Sequence, residues 1–162
     1  AEYITEYAEY TDDERKKDIT IKHVLTMTGG LESIDNNYTS FFYSDDWLKA
    51  ALAKPLDNTP GEVFVYNTGL TQLLSSVIAN ASGMTVMDFA KENLFEKIGM
   101  NVTYWQSDKQ GNNGGGSGLC LTSQDMARFG YLYLNNGLWD NEHVIPSEWI
   151  EDSLKSHIKA GE

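Results

Sequence analysis

The chain has 162 residues, with 41% hydrophobic and 22% charged residues and a formal net charge of −12. Those values fit one globular domain spanning residues 1–162 and exclude wholesale disorder. They also argue against a nucleic-acid partner, because phosphate binding needs a basic face that 12 Lys and Arg do not supply.

The opening AEYITEYAEYTDDERKKD has no apolar run of the signal-peptide kind, so an export signal is expected outside residues 1–162. No apolar stretch reaches the roughly 20 residues that span a bilayer. DDERKKD reads as a solvated charge run. Thr20 is placed to cap a short helix, IKHVLTMT, which Gly29-Gly30 ends. ESIDNNYTSFFY, residues 32–43, reads as a loop. SDDWLKAALAK reads as a capped helix with acids at its start and a lysine at its end, stopped by Pro55.

Residues 68–81 carry the strongest helical signal. Leu70, Leu73, Leu74, Val77, Ile78 and Ala81 share one face at spacings of three and four, and Gly83 closes the run. This helix is expected to be the most buried. A second helix follows from Thr85, with Val86, Phe89, Ala90 and Leu94 inward, as far as Gly99. NVTYW alternates like a short strand, QGNNGGGSG is a glycine-rich connector and LCLT is another strand. Ser123 is placed to cap a helix running through Met126, Phe129, Gly130 and Tyr133, which Asn136-Gly137 ends. Pro146 suits the start of a last helix, PSEWIEDSLK. The expected fold class is mainly α, with about five helices and a few short strands.

Few residues announce chemistry. His23, His143 and His157 lack any metal-ligand spacing; His23 reads as a packed or capping residue and the other two as surface. No metal or cofactor is expected. Cys120, the single cysteine, reads as a small buried apolar residue rather than a reactive thiol. GNNGGGSG lacks the lysine of a phosphate loop, so its glycines fit a tight turn or a close approach of two backbones. Ser156 and Lys159 match Ser-x-x-Lys, but without an apolar helix to bury and deprotonate the lysine they read as a chance match. On local sequence alone, Tyr66 is a half-buried aromatic at the mouth of a helix.

Three long stretches change that reading. ITIKHVLTMTGGL (19–31), PGEVFVYNTGLTQLLSSVIANASGMTVMDFAKENLFEKIGM (60–100) and GGGSGLCLTSQDMARFGYLYLNNGLWDNEHVIPSEWIEDS (114–153) resemble, in order, segments of the serine β-lactamase and penicillin-recognising family. The class C β-lactamase-like branch, with its DD-peptidases and esterases, is the most similar. The resemblance implies the helical region of the β-lactamase/DD-peptidase-like fold. It also implies a serine hydrolase acting by acyl transfer on a β-lactam, a D-Ala-D-Ala peptide or a small ester.

Carried onto this chain, the family's Tyr-x-Asn or Tyr-x-Ser element falls on Tyr66, Asn67 and Thr68, with Tyr66 as catalytic proton relay and Asn67 and Thr68 as substrate-binding residues. Thr68 departs from the commoner Asn or Ser, offering one hydroxyl donor where an amide offers two. In the family, Ser-x-x-Lys lies upstream of this region and a Lys-Thr-Gly or His-x-Gly strand lies downstream. The chain therefore reads as the middle of an enzyme, inactive by itself, with an extracytoplasmic location implied. Apolar surface that the family's large sheet would cover is expected to be exposed and to favour self-association. The alternative is a helical module that binds a partner or a cell-wall peptide without chemistry.

Overall fold

The computed structural model describes residues 3–4 and 13–160. The charge run does not stay wholly in solvent. Glu14–Asp18 form a 3-10 turn, and Lys16 is buried with its Nζ donating to the Leu52 carbonyl at 2.9 Å. Leu52 is the last residue of a helix, where backbone carbonyls lack intrahelical partners and a cation is favoured. A lysine stem can lie along apolar surface while its ammonium meets such a carbonyl, which local charge pattern does not show.

Helix α1 (Ile21–Leu25) starts in a capping box of unusual composition. Thr20 Oγ1 accepts from the His23 backbone at 3.2 Å, and the Thr20 backbone donates to His23 Nδ1 at 3.4 Å. His23 is thus a capping residue. The stretch expected as a loop at 32–43 instead holds a 3-10 turn (Ile34–Asn37) and helix α2 (Tyr38–Phe42). Its helicity comes from tertiary packing, because Phe41 stacks on Trp47 at 6.0 Å between centroids and Phe42 meets Trp47 edge-on at 5.0 Å. Helix α3 (Trp47–Leu52) begins at Asp46, which caps the Lys49 amide at 2.9 Å.

Helix α4 (Thr68–Ser82) ends at Gly83, in the left-handed conformation at φ 70°. Leu70 and Leu73 join Val24, Leu31, Leu48 and Leu52 in one core cluster. Leu74, Val77 and Ile78 are only half-buried and Ala81 is exposed, so the expected apolar face is covered along its first half alone. The helix also buries a polar stripe, Gln72, Ser75 and Ser76, that apolar periodicity does not reveal.

Helix α5 (Val86–Ala90) runs on through a π-helical turn (Lys91–Phe95). Val86 is buried as expected, but Phe95 and Ile98, rather than Phe89 and Leu94, supply the deepest contacts. Phe95, Ile98, Met100, Val102 and Leu132 form a separate cluster. Strand β1 (Tyr104–Trp105) pairs antiparallel with β2 (Leu119–Cys120), Tyr104 opposite Cys120. Leu119 and Leu121 pack on that cluster and Cys120 points the other way, so the cysteine is exposed, contrary to the sequence reading.

Helix α6 (Ser123–Leu134) is capped by Thr122 rather than Ser123, in a capping box with Asp125. The Thr122 hydroxyl donates to Asp125 at 2.6 Å and the Asn101 amide at 3.2 Å. With Arg128 nearby, these bonds hold the Asp125 carboxyl below the usual carboxylate range. An unexpected hairpin joins β3 (Leu138–Trp139) to β4 (Glu142–His143) through Asp140 and Asn141, both at positive φ. Helix α7 (Ser147–Ser153) follows Pro146. Seven α-helices and four two-residue strands stand among the described residues, a mainly α fold with two more helices than expected.

Candidate functional site

The candidate site is the N-terminal end of α4, and its geometry begins with Asn67. Its Oδ1 accepts from the Gly69 amide at 2.9 Å and satisfies one of the donors a helix start leaves open. Its Nδ2 donates backwards to the Leu31 carbonyl at 3.0 Å and the Glu32 carbonyl at 3.3 Å. Asn67 is 1% exposed, so the amide ties α4 to the loop that follows α1.

Thr68 is held by the same loop. Its amide donates to Asp35 Oδ2 at 2.9 Å and its hydroxyl to Asp35 Oδ1 at 2.7 Å. A carboxylate at this position also meets the positive end of the helix dipole. Ser33 completes the contact, its hydroxyl donating to the Tyr66 carbonyl at 2.8 Å. The backbone just before is fastened too, with the Gly61 amide on the Thr28 carbonyl at 2.7 Å and the Val65 amide on the Met27 carbonyl at 2.9 Å.

Tyr66 stands apart from its neighbours. It is 61% exposed, while Asn67 and Thr68 beside it are 1% and 5% exposed. The tyrosine is therefore not the half-buried helix-mouth aromatic of the local reading. The structure presents one phenol to solvent on a backbone bonded at both flanks. The side chains of Asn67 and Thr68, read from sequence as substrate contacts, turn inward and spend their hydrogen bonds on the scaffold.

The glycine-rich connector lies against the same helix. Gln72 Nε2 donates to the Asn113 carbonyl at 3.1 Å, Ser75 Oγ to that carbonyl at 2.6 Å, and the Gly115 amide to Gln72 Oε1 at 3.0 Å. A Cβ on Gly116 would lie 2.9 Å from the Thr68 methyl, so the connector reaches the first turn of α4. The buried polar stripe of α4 is thus the seat of this loop. The Ser-x-x-Lys match is remote in kind: Ser156 and Lys159 are exposed and lie beyond the end of α7. His143 and His157 are also exposed, and no group of three or more His, Cys, Asp or Glu among the described residues is arranged to hold a metal ion.

Ser33 and Asp35 were not singled out by sequence. An acid and a serine 33 residues before their partners leave no local trace, and only the fold brings them to the tyrosine.

Comparison with known proteins gives this geometry its context. The sequence model of the family described as Beta-lactamase matches residues 2–162. Penicillin-binding protein 4* of Bacillus subtilis is 28% identical over 153 residues, which cover 86% of this chain and 30% of that protein. A Bacillus anthracis structure provisionally described as a 6-aminohexanoate-dimer hydrolase superposes with TM-score 0.77 at 25% identity, covering 91% of this chain and 44% of that one. A Bacteroides dorei structure provisionally described as a β-lactamase superposes with TM-score 0.75 at 20% identity, covering 99% and 50%. The chain spans 39% and 30% of the curated relatives it matches.

Proposed function

We propose, from the premise that this chain belongs to the Beta-lactamase family, that it supplies the proton-relay wall of a serine hydrolase. Tyr66 is the relay, and the hydrolase acts by acyl transfer on a β-lactam, a D-Ala-D-Ala peptide or a small ester. The observation that carries this reading is the contrast at the start of α4: an exposed phenol on a backbone fixed on both sides. A group that must accept and return a proton within one encounter gains from being accessible and held in place.

In this reading a serine hydroxyl attacks the substrate carbonyl and gives up its proton to the Tyr66 oxygen. The same proton passes to the departing group, leaving an acyl-enzyme that water then hydrolyses. A phenol with an ordinary pKa near 10 is a poor base. A neighbouring ammonium favours the phenolate and brings the transfer into a useful range. Asn67 and Thr68 take part as supports for the tyrosine, because their side chains are already bonded inward. A periplasmic or cell-surface location belongs to the same proposal.

Two measurements test it. The 162-residue chain is expected to gain no adduct in intact-mass spectrometry after incubation with a penicillin, because acylation needs a hydroxyl activated by a buried lysine. Ser156 and Lys159 are exposed. A stoichiometric adduct on Ser156 would overturn this. In a protein carrying this region together with the family's serine–lysine pair, Tyr66→Phe is expected to slow penicillin acylation by roughly 10²–10⁴, the range for losing a positioned acid–base group. An unchanged acylation rate would remove Tyr66 from the chemistry.

A further inference from the structure

Ser33 and Asp35 lie outside the Tyr66–Thr68 element, yet both bond directly to it. The Ser33 hydroxyl has one proton, given to the Tyr66 carbonyl at 2.8 Å, with Asp35 Oδ2 at 3.0 Å as its alternate acceptor. The Asp35 amide in turn donates to Ser33 Oγ at 3.2 Å, which sets the direction of the hydroxyl. Asp35 spends each carboxylate oxygen on a Thr68 donor. The two residues thus grip the backbone on either side of Asn67, one through the carbonyl before it and one through the amide after it. Ile34, between them, is 1% exposed and anchored among Phe41, Trp47 and Ala51. The grip is therefore tied to a core cluster.

We infer that Ser33 and Asp35 are positioning residues for Tyr66, fixing the backbone that carries the phenol without touching substrate. The inference rests on the relay reading of Tyr66. The phenol is accessible while its backbone is hydrogen-bonded on both sides. A tyrosine with the same exposure on a loose backbone would sample many positions, and a misplacement near 1 Å can cost roughly 10² in rate. The pairing of acceptor and donor matters here. Asparagine at position 35 offers one oxygen where two donors point, and its amide hydrogens would face the donor left over.

The test uses 3-fluorotyrosine placed at position 66 of the 162-residue chain and read by fluorine NMR. Ser33→Ala, Asp35→Asn and Asp35→Ala are each expected to move or broaden the Tyr66 resonance. Ser33→Thr, which keeps the hydroxyl, is expected to restore it. Thr85→Ala removes the cap of α5 and serves as a destabilised control away from the grip, with the Tyr66 resonance expected in place. A Tyr66 resonance unmoved by Asp35→Ala, or moved as far by Thr85→Ala, would overturn the inference. The second arm is penicillin acylation in a protein carrying the serine–lysine pair. Asp35→Ala is expected to lower the maximal acylation rate by up to roughly 10²-fold with the penicillin dissociation constant unchanged. A lower affinity with an unchanged rate would contradict positioning. If Tyr66→Phe itself leaves acylation unchanged, the relay reading fails, and the NMR arm reports on the grip independently.

Discussion

Asn67 shows how one residue can satisfy two readings of a sequence. An asparagine before an apolar helical run is an N-cap signal, and in the Tyr-x-Asn/Ser resemblance the same residue falls inside a catalytic element. The structure assigns its side chain to the cap and to the Leu31 and Glu32 carbonyls. Asn67→Ala is expected to lower stability by about 2 kcal/mol, from the lost cap together with a buried carbonyl left without its donor. Chemical denaturation with an unchanged m-value checks this, and a loss below about 0.5 kcal/mol would mean water replaces the amide. Asn67→Asp should retain the cap to Gly69 but set a buried carboxylate oxygen against the Leu31 and Glu32 carbonyls, so it is expected to cost more than Asn67→Ala. The family resemblance singles out Tyr66 from its run, whereas Asp35 and Lys16 leave no local trace, because their hydrogen bonds go to partners 33 and 36 residues away.

At the scale of elements, α4 was read correctly in its extent and only partly in its burial. Its cap, length and glycine stop follow from local rules, and Gly83 occupies the left-handed position that ends helices cheaply. Its second buried face could not be read, because Gln72 and Ser75 look like solvent-facing residues until the connector 41 and 38 residues further on is seated against them. The missed helix α2 has the same cause, an aromatic cluster whose order comes from Trp47 rather than from its own periodicity. Of the two uses the connector's glycines suit, a turn or a close approach of backbones, Gly115 serves the second. A Cβ there would collide with the Thr71 carbonyl, whereas one on Gly130 in α6 would meet nothing within 4 Å. Gly115→Ala is expected to cost about 1–3 kcal/mol through overpacking. Gly130→Ala is expected to add roughly 0.5–1 kcal/mol through helix propensity and reduced freedom of the unfolded chain. Thermal melts of the two variants should therefore shift in opposite directions, and a shared direction would defeat the close-approach argument.

At the scale of the whole molecule, the apolar side chains left in solvent decide how the isolated chain behaves. Helix α6 buries only Asp125 and Leu132, while Met126 is 62% and Phe129 38% exposed. Phe129 packs on Tyr133 at 5.1 Å between centroids, so Met126, Phe129 and Tyr133 form an apolar stripe at spacings of three and four. On α1, Ile21 and Leu25 are 44% and 47% exposed. We propose that the stripe on α6 meets the same helix of a second copy across a twofold axis, an arrangement that would close a dimer without leaving a free end. Opposing it is the net charge of −12, which repels like copies at low ionic strength. Association is therefore expected to strengthen with salt, as screening weakens the repulsion and leaves apolar burial intact. Sedimentation velocity at increasing protein concentration, in low and high salt, should show a dimer that grows with both. Phe129→Glu should return the chain to a monomer in either condition, since it places a charge in the middle of the stripe. A chain that stays monomeric throughout, or a dimer indifferent to Phe129→Glu, would show that the exposed face of α6 does not drive association.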